Sequence, residues 1–127
     1  MKPRSARVFA ALLVLAIYLP LAMADGYSRN PKLVGHWTYN GRDGAATLII
    51  VADGRWSGTF TPPGQVEAQF EGKWITDKDH IYWLYTKSST PMVKPGARDT
   101  DRLVEIGEDF FVLHTRSNRE PKYVRVK

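Results

Sequence analysis

The sequence predicts an all-β protein, a small eight-stranded antiparallel up-and-down barrel. Three observations predict it. Val66-Glu-Ala-Gln-Phe-Glu-Gly-Lys-Trp74 alternates apolar or small residues with charged or polar ones over nine positions, the period of an extended strand with one face in a core. Seven further short runs rich in aromatic and β-branched residues follow the same style, each bounded by Gly, Pro, Asn or Asp. Between them there is no helical period of useful length.

The chain opens with a basic stretch, Met1-Lys-Pro-Arg4 and Arg7. It then runs from Val8 to Leu21 without a charge and reaches Ala22-Met-Ala24. A basic start, an apolar middle and small residues at a cleavage site predict a secretory signal peptide over 1–24, removed near Ala24. A membrane anchor needs about 20 consecutive apolar residues; Pro20 and the A-x-A site cut this run short, so no stable membrane insertion is expected. Removal leaves about 100 residues, one domain. It also takes away three cations, so a net charge of +5 falls to about +2. The basic balance therefore belongs partly to the leader and does not point to nucleic acid. The chain has no cysteine, which excludes disulfides, lipidation at a cysteine and a thiol nucleophile. Asn30, Asn40 and Asn118 lack glycosylation spacing. A periplasmic or secreted bacterial protein fits this pattern.

Residues 25–32 read as a polar lead-in and 33–127 as the barrel domain. The first strand is expected over 33–39, ended by the turn-forming Asn40-Gly-Arg-Asp-Gly44. A continuous apolar run over 45–52 suggests a strand buried on both faces. Asp53-Gly54 predicts a two-residue hairpin turn into 55–61, so that Val51, Ile49 and Thr47 would face Trp56, Gly58 and Phe60. Pro62-Pro-Gly64 turns the chain into 66–74, with Thr61 expected opposite Gln65. A loop at Asp77-Lys-Asp-His80 leads into 81–86. Four loop residues would put Ile81, Trp83 and Tyr85 on the face of Trp74, and three would substitute Tyr82 and Leu84. The first is favoured, but both remain open. Residues 87–100 form the one long loop, and loops of that length are often functional. Three strands follow, over 101–106, 110–116 and 122–126.

Trp37, Tyr39, Trp56, Phe60, Phe70, Trp74, Trp83, Tyr85 and Phe111 all fall on the faces read as inward. Each aromatic side chain buries about 150–250 Å². The interior is thus either a packed aromatic core, with Gly58 and Gly72 making room for indoles, or a partly open aromatic pocket. Trp37, Tyr39, Trp56, Phe70, Trp74, Trp83 and Tyr85 are the candidate ligand-binding residues. The locally basic loop around Lys87, Met92, Lys94 and Arg98 is the candidate lid or partner loop.

Catalytic signals are missing: there is no G-x-S-x-G elbow and no glycine-rich phosphate loop. His36, His80 and His114 lack metal-ligand spacing, and no metal or other cofactor is expected. The acid pairs Asp77/Asp79 and Asp99/Asp101 read as solvated turn residues. Cations interleaved with acids read as a mixed-charge surface rather than a nucleic-acid face.

Gly35-His-Trp37 on the first strand, A-D-G-R-W-S-G-T-F over 52–60 and F-E-G-K-W-I-T-D-K-D-H-I-Y-W over 70–83 together resemble the small bacterial lipocalin-like (calycin-type) domains. The likeness spans nearly all of 33–126. It implies an eight-stranded barrel in which Trp37 closes one end against a basic residue near the end of the chain, Arg116 or Arg125. Residues 35–60 are also similar to the start of avidin-type barrels, a likeness that fades afterwards. The resemblance implies a non-enzymatic exported binding protein for a small hydrophobic or aromatic ligand. The alternative is a filled barrel that meets an envelope protein, or inhibits a protease, through its loops. The ligand, the partner and the oligomeric state are not legible.

Overall fold

Eight strands form where the alternating pattern runs: β1 (Gly35–Gly41), β2 (Gly44–Ile50), β3 (Arg55–Thr61), β4 (Ala68–Thr76), β5 (His80–Ser88), β6 (Arg98–Ile106), β7 (Phe110–His114) and β8 (Lys122–Arg125). These elements come from a computed structural model that describes residues 26–127. The predicted signal peptide, 1–24, lies outside the described residues. Each strand pairs antiparallel with its sequence neighbour, and β8 returns to β1, so the sheet closes into a barrel. Closure leaves no sheet edge unpaired. Among the described residues no helix is long and apolar enough to cross a membrane.

The barrel has two unlike ends. At one lie the lead-in, the β2–β3, β4–β5 and β6–β7 turns and the last residues. A 3₁₀ turn, Pro31–Leu33, capped by the Asn30 side chain, sits across this end. Its Leu33 is fully buried together with Trp37, Ile50, Ile81 and Phe111. Leu33 is thus part of this plug and not of the first strand, which begins two residues later than predicted. Ser28 pairs with Thr76 through two backbone hydrogen bonds, 2.8 and 2.7 Å, and fastens the lead-in to the barrel wall.

Two registers differ from the sequence reading. The β2–β3 connection has three residues, Ala52 to Gly54, and Val51 N–H donates to the Arg55 carbonyl at 2.9 Å. Ile50 therefore faces Trp56, and Ala46, Leu48 and Ile50 point inward instead of Thr47, Ile49 and Val51. Asp-Gly suits a two-residue turn, but here Gly54 takes a positive φ of 100° as the third loop residue. The Asp53 carboxylate then accepts from Arg55 N–H and Nε. The extra residue turns the whole strand over, so β2 alternates and Ile49 is 45% exposed, rather than being buried on both faces.

On the other side of β3, Phe60 faces Ala68 and Trp56 faces Gly72, a slip of two from the predicted pairing. An even slip preserves the face, so Phe70 and Trp74 stay inward. Val66 is left in the loop, 90% exposed. Asp77 N–H donates to the His80 carbonyl across the turn at 3.1 Å, so Thr76 meets Ile81 and Trp83 lies opposite Trp74, the facing favoured from the sequence. The long loop is shorter than expected. β5 runs on to Ser88 and β6 begins at Arg98, so Lys87 and Arg98 belong to strands and only 89–97 is loop.

Glycine is required at Gly72. A β bulge shifts the β4–β5 register there, and a methyl group would overlap the Leu84 carbonyl and press on the Trp56 indole. Gly58 likewise lies under the Trp56 ring, so both glycines make the room the sequence suggested.

Candidate functional site

The four indoles are buried at 0, 5, 2 and 5% exposure for Trp37, Trp56, Trp74 and Trp83. Each N–H is already used inside the protein. Trp37 donates to the Leu33 carbonyl (2.9 Å), Trp56 to Leu84 (3.3 Å), Trp74 to Val51 (2.8 Å) and Trp83 to Asp101 Oδ2 (2.9 Å). A buried N–H left without a partner costs about 1–3 kcal/mol, so these bonds hold the rings in fixed orientations. Trp56 meets Trp83 and Tyr85 edge-on at centroid distances of 5.0 and 5.2 Å. Trp37 meets Phe111 edge-on at 4.7 Å. The indoles and Phe111 form a packed core, with no polar edge left for a ligand.

At the plugged end Arg125 lies over the Trp37 ring, 4.2 Å from guanidinium carbon to centroid. Its nitrogens donate to the carbonyls of Glu108 (3.2 Å), Val34 (3.0 Å) and Lys32 (3.3 Å). One planar cation thereby satisfies carbonyls from two chain segments and caps the indole face. Of the two arginines the sequence left open, Arg125 is the one that seals this end. Arg116 sits at the opposite end, 3.3 Å from Asp99.

The opposite end is the more open of the two only in that its inward side chains keep some contact with solvent. Tyr39, Phe60, Phe70, Tyr85 and Tyr123 point inward there and are only half-buried. Phe70 meets Tyr85 at 5.5 Å and Tyr39 meets Tyr123 at 5.7 Å, while Tyr123 stacks on the buried Phe111 at 5.1 Å. Small residues stand opposite two of them in the sheet: Ala46 and Ala68 flank Phe60, and Gly58 faces Phe70. The inward row of β6 is acidic, with Asp99 half-buried and Asp101 8% exposed. Burial pushes the Asp101 carboxyl up to about 6, against the pull of the Trp83 hydrogen bond. Burial, followed by the field of Asp99 and Asp101, pushes the Tyr85 hydroxyl up to about 12. Burial raises the Tyr123 hydroxyl as well, with Asp101 adding to it. At the rim, Tyr39 donates to Asp43, which is ion-paired with Arg119. That hydrogen bond raises the tyrosine and lowers the aspartate. A shallow cleft of about 440 Å³ lies beside this pair and includes Arg42, Glu120 and Pro121 in its walls.

No family model matches the chain, and no curated protein does. A solved structure does, described as a lipocalin-like protein from Bacteroides uniformis. It covers 75% of this chain and 99% of its own, with a TM-score of 0.52 at 13% sequence identity. The fold is lipocalin-like. At that identity the likeness concerns the fold alone, and the site has to be read from this chain's own side chains.

The lipocalin-like barrel divides the candidate residues in two. Trp37, Trp56, Trp74 and Trp83 build the plug and floor, whereas Tyr39, Phe70 and Tyr85 line the open half. The loop candidates do not act as one group. Lys87 pairs with Glu71 (3.8 Å), Arg98 faces Leu84 in the sheet, and Met92, in the loop itself, is 88% exposed. Ser89 is tied to Gln69 by hydrogen bonds of 2.9 and 2.8 Å, and Gly96 and Ala97 flank Tyr85 through its backbone.

Asp99 and Asp101 are not the solvated turn residues expected. They lie in β6 and face the interior. Their signal was present in the chain, since Asp99, Asp101 and Leu103 recur at period two. Tyr123 precedes Arg125 by the same spacing. Asp77 does cap its turn, accepting from Asp79 N–H and His80 N–H at 2.8 Å each. Among the described residues no group of three or more His, Cys, Asp or Glu is placed to hold a metal ion.

Proposed function

We propose that this chain is a non-enzymatic exported binding protein that takes the hydrophobic or aromatic part of one small ligand into the open half of its barrel. The observation that carries this reading is the unequal filling of the interior. One half is packed tight with hydrogen-bonded indoles, and the other is ringed by half-buried aromatic side chains with small residues between them. Such a lining, mostly apolar with a few placed polar groups, is the usual lining of a small-molecule site. The 89–97 loop rises from the same rim, anchored at both ends, and serves as its lid. Export rests on the leader pattern in residues 1–24.

Intrinsic tryptophan fluorescence reads the site directly, because Trp56 contacts Tyr85. Titration with a panel of lipids, quinones and small aromatics is expected to give a saturable change, weakened by Phe70→Ala or Tyr85→Ala. A flat response to the whole panel would sink the reading. A second reading rests on Val66 and Met92, apolar side chains about nine-tenths exposed on open-end loops. These suit contact with an envelope protein. Co-purification from periplasmic extract with residues 89–97 shortened tests it, and an unchanged partner list would remove the loop from that role.

A further inference from the structure

We propose that Asp101 is the anchor for an organic cation bearing N–H donors, a primary amine or a guanidinium, whose apolar remainder lies against Phe60 and Phe70. This inference rests on the open half of the barrel being the binding site and names the ligand chemistry that site prefers.

Among the described residues, each half-buried carboxylate has a cation or histidine within 4 Å. Asp43 has Arg119, Asp77 has His80, Asp99 has Arg116, and Asp109 has Lys127 and Arg125. Those with no such partner, Glu67, Asp79, Glu105 and Glu108, stand exposed in water. Asp101 breaks the pattern: it is buried and has no cation within that distance among the described residues. One oxygen is occupied by the Trp83 N–H. No described residue donates to Oδ1, and the Tyr85 and Tyr123 hydroxyls beside it have no hydrogen-bond partner among them either.

A buried charge without a counter-ion is costly. Holding the Trp83 N–H needs only a neutral acceptor such as the carbonyls that hold the other three indoles. A carboxylate here is explained by a positive partner that the described residues do not supply. The surroundings suit one. Tyrosine and phenylalanine rings attract a cation within about 6 Å of their centroids, and Tyr85 and Tyr123 supply such rings next to Asp101. Asp99 has Arg116 as an ion-pair partner at 3.3 Å, which leaves Asp101 as the inward carboxylate of β6 without a cation of its own. The groups facing Asp101 are Asp99 on its own strand, Trp83 and Tyr85 from β5, Arg116 beyond β7 and Tyr123 from β8. None of them is a cation buried with it.

The test compares 2-phenylethylamine and benzylguanidine with the neutral isostere 2-phenylethanol, by calorimetry and tryptophan fluorescence at pH 7.5. The cations are expected to bind at least about tenfold more tightly than the alcohol. Asp101→Asn, which keeps an acceptor for Trp83, should bring all three within about twofold. Because that variant can lose stability, a second arm uses the unaltered protein at pH 5, where Asp101 is protonated. Cation binding should weaken there and alcohol binding should not. Equal binding of alcohol and cations at both pH values would overturn the cation inference and leave the open-end reading standing. No saturable binding of any probe, neutral aromatics included, would overturn both.

Discussion

The two ends of this barrel are built from the same kind of strand, yet one is sealed and the other is not. At the sealed end Trp37, Leu33 and Phe111 are fully buried, and Arg125 closes over the indole while holding three carbonyls. At the open end the aromatic residues are as numerous but only half-covered, and the cations pair with rim carboxylates instead of covering rings. Aromatic content alone therefore does not distinguish a core from a site. What separates them is a covering segment: the 31–33 turn and Arg125 bury Trp37 completely, whereas the 89–97 loop leaves Phe70 and Tyr85 only half-buried.

The sharpest test of that contrast is a pair of truncations. Trp37→Ala should cost about 3–5 kcal/mol, because the sealed end cannot collapse around the missing ring. Phe70→Ala should cost about 1 kcal/mol, since its ring already meets solvent on one side. Equal losses in urea unfolding would erase the distinction between the ends. The arginines provide the next comparison. Arg125→Leu strips hydrogen bonds from three carbonyls and uncovers the Trp37 face, a loss of about 2–3 kcal/mol. Arg116→Leu removes an exposed ion pair and should change stability by less than about 1 kcal/mol. Similar midpoints for the two variants would mean that Arg125 is not the seal.

A third test uses pH. The Asp101 carboxyl titrates near 6 in the folded protein and near its ordinary value of about 3.9 when unfolded. Between those values the folded state holds a proton that the unfolded chain has lost, so this group's contribution to stability falls as pH rises from about 4 to about 6. Above pH 6 the full penalty is present. Asp101→Asn removes it, so, whatever the variant's stability at pH 4, the difference from the unaltered protein should shift in the variant's favour by about 1–3 kcal/mol on going from pH 4 to pH 7. A stability difference independent of pH would show that the carboxylate is not buried as described. The smallest effect is expected at the rim: Val66→Ser and Met92→Ser should leave stability within about 0.5 kcal/mol. A larger loss would mean that the loops are packed parts of the fold rather than free tips.

Much of the architecture was legible in the chain. All eight strands, their order and the inward Trp37, Trp56, Trp74 and Trp83 follow from alternation and turn chemistry. The facing of β5 was correctly favoured from the length of its turn. The β2–β3 register was not legible, because Asp53-Gly54 suits a two-residue turn and a three-residue loop alike, and only packing chooses between them. The candidate site was half legible. Tyr39, Phe70 and Tyr85 were identified as inward, but nothing local separated them from Trp37 or Trp74. Asp99 and Asp101 were misread because acids beside a Pro- and Gly-rich stretch usually belong to turns, whereas strand pairing with β5 carries β6 back to Arg98.

The sequence by itself determined that this chain makes strands of alternating polarity, enough of them to close, with large aromatic residues on the buried face. That much follows from the two-residue period and from the local conformations open to Gly, Pro and Asp. Only the tertiary structure decided which end is closed, which arginine closes it and which carboxylate is buried without a counter-charge. Those outcomes depend on contacts between residues far apart in the chain, such as Arg125 on Trp37 and Trp83 on Asp101, and on odd or even loop lengths that turn a whole strand over.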